Sequence, residues 1–182
     1  MSRLGGPQSS GCLPAGGHHL NARTPTRSIA TEPPSQVHLV REMEVRYLPG
    51  RYPIAVQGRI LSPVEAAKVA SDATANTTVE EVLVLHLDVQ RNLIGLHRVS
   101  QGTLDSASVH PREVFKVALL ANAAAVIITH NHPGGDPTPS GADIEFTKRL
   151  IAAGELIGVG VLDHIVTGQD GAYTSIREAG LV

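Results

Sequence analysis

From Ala124 to Gly158 the chain reads in unbroken succession as an apolar strand, AAVIITHNH, a glycine- and proline-rich loop, PGGDPTP, and a helix, SGADIEFTKRLIAAGELIG. A further apolar run, GVGVLDHIVTG, follows at once. Strands that alternate with helices in this way argue for helices packed on a sheet. The rest of the chain extends the pattern. SPVEAAKVASDA announces a helix with Ser62 as N-cap, Pro63 at its first position and Glu65 closing a capping box. VEEVLVLHLD and LIGLHRVSQG are β-rich and joined by the polar VQRN, which predicts a hairpin. HPREVFKVALLANA is a helix carrying Val114, Phe115, Val117 and Ala118 at helical spacing. QDGAYTSI turns into a last strand. The expected fold class is mixed α/β, a mixed sheet flanked by helices.

Residues 1–35 are rich in Gly, Pro, Ser and Thr and lack an apolar period, so they are expected to form a disordered tail. Order is expected to begin with a strand in VHLVREMEVRYLP, giving one domain over residues 36–182. With no Trp and 3% aromatic residues its core has to be aliphatic. Residues 1–50 hold five Lys and Arg against three Asp and Glu; of 15 and 17 in the whole chain, ten and fourteen are left for the rest. That acidic balance argues against a broad grip on nucleic acid. A single cysteine, Cys12, excludes an intramolecular disulfide and any cysteine-rich zinc site. No run reaches the roughly 18 apolar residues of a membrane span, and no apolar signal region follows Arg3. The expectation is a cytoplasmic protein without a membrane partner.

The chemistry concentrates at the end of the AAVIITHNH strand. Residues two apart on a strand face the same way, so His130 and His132 present both imidazoles to one side and Asn131 points to the other. Asp143, in the first turn of the following helix, can return a carboxylate to that pair. Two neutral imidazoles and one carboxylate suit zinc with an open fourth position for water. Ser140 and Asp143 also have the S-x-x-D spacing of a helix N-terminal cap, which is compatible with a ligand role for Asp143. A hydrolase needs in addition a proton carrier outside the metal's ligands. Glu80 and Glu81, at the start of a buried strand, are the candidates; neighbours on a strand face opposite ways, so one of them is expected to be a solvated charge. His86 and His97, alternating with apolar residues, are expected at exposed strand positions.

His130-Asn131-His132-Pro133, then six residues, then Ser140 and Asp143, resembles the H-x-H-P-x6-S-x-x-D signature of the JAMM (MPN, JAB1) metalloproteases. The block QGTLDSASVHPREVFKVALLANAAAVIITHNHPGGDPTPSGADIEFTKRL, with LDHIVTG and AYTSIREAGL after it, is similar to bacterial RadC proteins over roughly residues 60–182. The resemblance implies an MPN/JAB, cytidine-deaminase-like fold and a zinc-dependent metallopeptidase or isopeptidase that uses activated water on a protein or peptide substrate. It implies His130, His132 and Asp143 as zinc ligands and Ser140 as the group that steadies the oxyanion or the water. The family's glutamate falls on Glu80 when Val84, Leu85, Leu87 and Asp88 are matched, with Glu81 the alternative one register away. Gly134 stands where many relatives have Ser, a change in the turn expected to be harmless. Longer relatives carry an N-terminal helix-hairpin-helix domain of the DNA-binding kind; a tail is expected here in its place. Two other readings stay open: a DNA-repair-associated hydrolase acting on nucleic acid, and a catalytically silent MPN interaction module. Asp163 and His164 belong to the family's pattern and either line the cleft or serve as structural hydrogen-bond partners.

Overall fold

The computed structural model describes residues 59–102 and 109–182. The expected tail over residues 1–35 and the expected strand in VHLVREMEVRYLP lie outside the described residues. Each of the three helices and five strands expected between residues 62 and 176 is present. They run in the order α1 (Pro63–Thr74), β1 (Glu81–Leu87), β2 (Leu93–Gln101), α2 (Pro111–Leu120), β3 (Ala125–Asn131), α3 (Gly141–Ile157), β4 (Gly160–Thr167) and β5 (Tyr173–Ser175). Local chemistry sets the helix starts. The Glu65 carboxylate accepts from the amides of Leu61 and Ser62 at 2.6 and 3.0 Å, closing the start of α1. The His110 ring accepts from Arg112 N at 3.2 Å and caps α2.

The strands form one mixed sheet in the order β2-β1-β3-β4-β5. Only the β3–β4 pair is parallel, and α3 links those two strands. The pairing Val82↔His130 and Val84↔Ile128 between β1 and β3, and Ile128↔His164 between β3 and β4, sorts the side chains by face. Val82, Val84, Val126 and Ile128 pack against Val114, Phe115, Phe146 and Leu150 of α2 and α3. Leu85, Leu87, Ile127 and Ile165 pack on the other side against Ala66, Ala67 and Val69 of α1. Among the described residues no helix is long and apolar enough to cross a membrane.

Because β1 is central and covered on both faces, its polar residues are buried, and this overturns two expectations. His86 is 2% exposed, not a solvent-facing position, and His97 is half-buried. His86 Nε2 lies 2.7 Å from His97 Nδ1, and His97 Nε2 reaches the Glu113 carbonyl at 3.3 Å. A carbonyl only accepts, so His97 donates from Nε2 and His86 donates from Nε2 in turn, which leaves His86 Nδ1 bare and without a partner. Glu81, for its part, is not a solvated charge. It is buried, and one of its carboxylate oxygens lies 2.9 Å from an Arg98 guanidinium nitrogen on the neighbouring strand. Alternation misleads at His86 and His97, since it marks a solvent face only when one side of a strand is open; at Glu81 the two glutamates do face opposite ways, but the second face is covered too.

Burial, with His97 alongside, pushes His86 from 6.5 down to about 4. The unfolded chain keeps the ordinary value, so between the two it binds the proton that the folded chain refuses. The stability that this group contributes is complete above about pH 6.5 and is lost as the pH falls toward 4, on the order of 3 kcal/mol at the limit. Thermal melts at about pH 7.5 and about pH 5 are expected to show a smaller acid loss for His86→Leu than for the wild type. An equal loss in both would mean that His86 is not held neutral by the fold.

Candidate metal centre

β3 carries His130 on the face covered by α2 and α3, opposite Val82 and Val166. The ladder continues one step past the strand: His132 N donates to the Thr167 carbonyl at 2.8 Å. The chain is therefore still extended at His132, and the two-residue alternation brings His130 Nε2 to 2.9 Å from His132 Nε2. The loop then turns sharply, with Gly135 N donating to the His132 carbonyl at 2.9 Å and Gly135 at φ +93°. It is clamped to the β4–β5 connection, where Gln169 N donates to the Gly135 carbonyl at 3.1 Å. Gly168 packs so closely that a Cβ there would collide with the Gly135 carbonyl oxygen.

The clamp orients His132. Its Nδ1 lies 2.7 Å from the Asp136 carbonyl, which only accepts, so Nδ1 holds the proton and Nε2 is bare when the ring is neutral. His130 presents the same nitrogen when its Nδ1 holds the ring's proton. Its Nδ1 lies 2.8 Å from Nε2 of His164, a histidine buried in the sheet. Burial pushes His130 down to about 4, against the pull of the Asp143 carboxylate, and drives His164 well below its ordinary value.

Asp143 comes back to this pair as expected from the S-x-x-D spacing. Ser140 is the N-cap of α3, and its amide and hydroxyl both donate to Asp143 Oδ2, at 2.7 and 2.6 Å. Asp143 N is 3.2 Å from the Ser140 hydroxyl in return. The buried carboxylate is left with Oδ1 3.7 Å from His130 Nε2. In this arrangement the Ser140 proton serves Asp143. Glu80 approaches from the residue just before β1, with Oε1 4.0 Å from His130 Nε2 and its side chain 25% exposed. Strand parity separates the two glutamates: Glu80 shares the face of Val82 and the histidines, and Glu81 shares that of Leu83 and Leu85. Glu80, His130 and His132 each offer a donor atom within 4.8 Å of the others, a group that can hold a metal ion. Asp143 is not among these three; its link to them is the 3.7 Å from Oδ1 to His130 Nε2.

Two residues matter here that the sequence reading passed over. Asn131 does point away from the histidines, but its amide accepts from Glu81 N at 2.9 Å and donates to the Val79 carbonyl at 3.1 Å. Those two bonds flank Glu80 on either side. A third, from Gly102 N to the Glu80 carbonyl at 2.8 Å, fixes Glu80 from β2. Thr147 lies one helical turn beyond Asp143, fully buried, with its hydroxyl on His164 Nδ1 at 2.6 Å. The spacing of Ser140, Asp143 and Thr147 along one helix face was the available signal. Asp163 turns away from the site and accepts from Ser175 Oγ at 2.5 Å and from Arg177 N at 3.2 Å, tying down the end of β5.

The fold and this centre define a JAB-type domain, and the comparisons agree. Residues 60–181 match the family model described as the RadC-like JAB domain, and the chain belongs to that family. A UPF0758 protein from Symbiobacterium thermophilum is 53% identical over 108 residues, which cover 59% of this chain and 46% of the relative. One from Desulforudis audaxviator is 39% identical over 183 aligned residues, spanning 100% of this chain and 75% of the relative. A third, from Desulforamulus reducens, is 52% identical over 103 residues, 57% of this chain and 45% of the relative. The matches thus cover about half of two relatives and three quarters of the other.

Asn131→Ala is expected to lower stability by about 1–2 kcal/mol, because Glu81 N and the Val79 carbonyl lose their partner, and to leave any affinity of the wild type for a divalent metal unchanged. Denaturant melts with metal titration check this. Loss of metal binding at unchanged stability would place Asn131 among the ligands instead.

Proposed function

We propose that this protein is a zinc-dependent hydrolase of the JAMM type that cleaves peptide or isopeptide bonds. One observation carries the reading. With the Nδ1 protons of His130 and His132 spent on His164 and the Asp136 carbonyl, two bare nitrogens face each other across 2.9 Å, with the carboxylates of Asp143 and Glu80 3.7 and 4.0 Å from His130 Nε2. Two lone pairs at that distance repel, and the pair is relieved by a cation between them. A proton is a poor candidate for that cation, because burial opposes an imidazolium at His130. A divalent ion with nitrogen and carboxylate ligands, zinc above all, fits the donor set.

In this reading His130, His132 and Asp143 are the ligands and Ser140 holds Asp143 in place. When bound, the ion supplies Lewis acidity toward a carbonyl oxygen and lowers the pKa of a water molecule. Glu80 is the proton carrier: it takes a proton from the attacking water and returns it to the leaving amine. Its side chain is 25% exposed, which leaves it open to exchange protons with water and substrate; the same carboxylate is also close enough to His130 and His132 to join the metal's ligands. For Ser140 to steady an oxyanion, its hydroxyl has to turn away from Asp143 Oδ2.

A cleft of roughly 390 Å³ touches His132 from the α1 side, lined among the described residues by Ser71, Thr74, Asn131 and Gln169. The acidic balance of residues 51–182, ten Lys and Arg against fourteen Asp and Glu, favours a peptide over a nucleic-acid backbone, which calls for cations.

Purified protein is expected to carry about one zinc per chain, as a single mononuclear site would, and to lose it in a His130→Ala/His132→Ala variant. Glu80→Gln is expected to keep the zinc and lose at least 10²–10⁴-fold in turnover. Glu81→Gln is expected to keep most turnover and to lose about 1–3 kcal/mol of stability with its ion pair. These are read on whichever peptide or isopeptide substrate a screen identifies. Metal-dependent cleavage of DNA in the same screen would give the nuclease reading first place, and full zinc occupancy in the double histidine variant would remove the basis of this one.

A further inference from the structure

We propose that Thr147 and His164 form a buried relay whose task is to present the bare Nε2 of His130 to the metal, with its starting point on the main chain of Asp143. The inference rests on the metal site proposed above, since it concerns how one ligand of that site is set.

The relay follows from where protons can lie. Thr147 Oγ1 is 2.6 Å from the Asp143 carbonyl oxygen, too close for two oxygens without a proton between them. The carbonyl has none, so the threonine hydroxyl donates its only proton there. Thr147 Oγ1 is also 2.6 Å from His164 Nδ1, and this second bond needs a proton that the hydroxyl no longer has. His164 supplies it from Nδ1. A neutral His164 then has a bare Nε2, which lies 2.8 Å from His130 Nδ1. That bond takes its proton from His130 Nδ1, and His130 Nε2 is left bare toward His132, Asp143 and Glu80. Each link is forced by the one before it, beginning at a backbone carbonyl that can only accept.

All three side chains are sealed from water: Thr147 is 0% exposed, and His130 and His164 are 1% exposed. Solvent therefore cannot substitute for a missing link. The relay starts on the same residue, Asp143, whose carboxylate faces His130, so it couples the helix that delivers one proposed ligand to the tautomer of another. Outer-shell partners of ligating histidines commonly fix the ring in this way, and losing one typically costs 10–100-fold in metal affinity. Thr147 and His164 are thus positioning residues that act through His130.

Thr147→Val keeps the shape and removes the hydroxyl. His164 Nδ1–H would then be buried without an acceptor, so the proton is expected to move to His164 Nε2 and be donated to His130 Nδ1. His130 would carry its own proton on Nε2, facing the metal. The test uses the full chain in wild-type, Thr147→Val and Thr147→Ser forms. Zinc affinity is measured by competition with a chelator, and the ring nitrogens of the metal-free proteins are assigned by nitrogen NMR. The expected result is binding weakened about 10–100-fold in Thr147→Val and restored to within a few-fold of wild type in Thr147→Ser. The spectra are expected to show His130 protonated on Nδ1 in wild type and Thr147→Ser, and on Nε2 in Thr147→Val. Unchanged zinc affinity in Thr147→Val, or an Nδ1-protonated His130 in that variant, overturns the relay. If Thr147→Val does not fold, the wild-type spectrum decides, and a His164 proton on Nε2 overturns it. Expected spectra with no zinc binding in any form would support the relay and overturn the metal reading.

Discussion

Two imidazole nitrogens approach to 2.9 Å and, in the tautomers proposed above, neither ring has a proton to put between them. This contact is unfavourable as it stands, and much of the surrounding structure serves to hold it. The parallel β3–β4 ladder, extended by His132 N to the Thr167 carbonyl, keeps the strand straight far enough to align both rings. The loop clamped against Gly168 brings the Asp136 carbonyl to one ring, and the buried His164 meets the other. In the proposed reading these donors are gathered for a cation, and the hydrogen bonds around them serve to aim them at it. The electrostatic cost of such an arrangement is high in a low-dielectric interior, which is why perturbed and uncompensated groups gather at functional sites.

Much of this was legible in the sequence, for reasons that can be named. His130 and His132 share a face because a strand has a period of two, and Asp143 returns to them because a cap spacing of three fixes it one turn inside α3. Every element between residues 62 and 176 announced itself by period, cap or turn chemistry. The same parity argument separates Glu80 from Glu81, although only the pairing Val82↔His130 shows which of the two joins the histidines.

What was not legible depends on contacts distant in sequence. Thr147 and His164 meet across 17 residues, and Asn131 reaches Val79 across 52. Arg98 finds Glu81 only because β2 folds back along β1. Nothing local to any of these residues marks it. His86 shows the complementary error, since a polar residue between apolar ones reads as solvent-facing until a helix is known to cover that face. The residues that make up the site are encoded locally, and those that orient it are encoded through the fold.

The account's central claim is that the two Nε2 atoms converge on a metal. Crystals grown with zinc and measured on both sides of the zinc absorption edge test it most directly, because the anomalous signal locates the ion without reference to any assumed chemistry. The account predicts one peak per chain at about 2.0–2.1 Å from both His130 Nε2 and His132 Nε2, with a carboxylate oxygen of Asp143 as third ligand. A peak elsewhere, ligation through Nδ1, or no peak between the two rings at saturating zinc would contradict it.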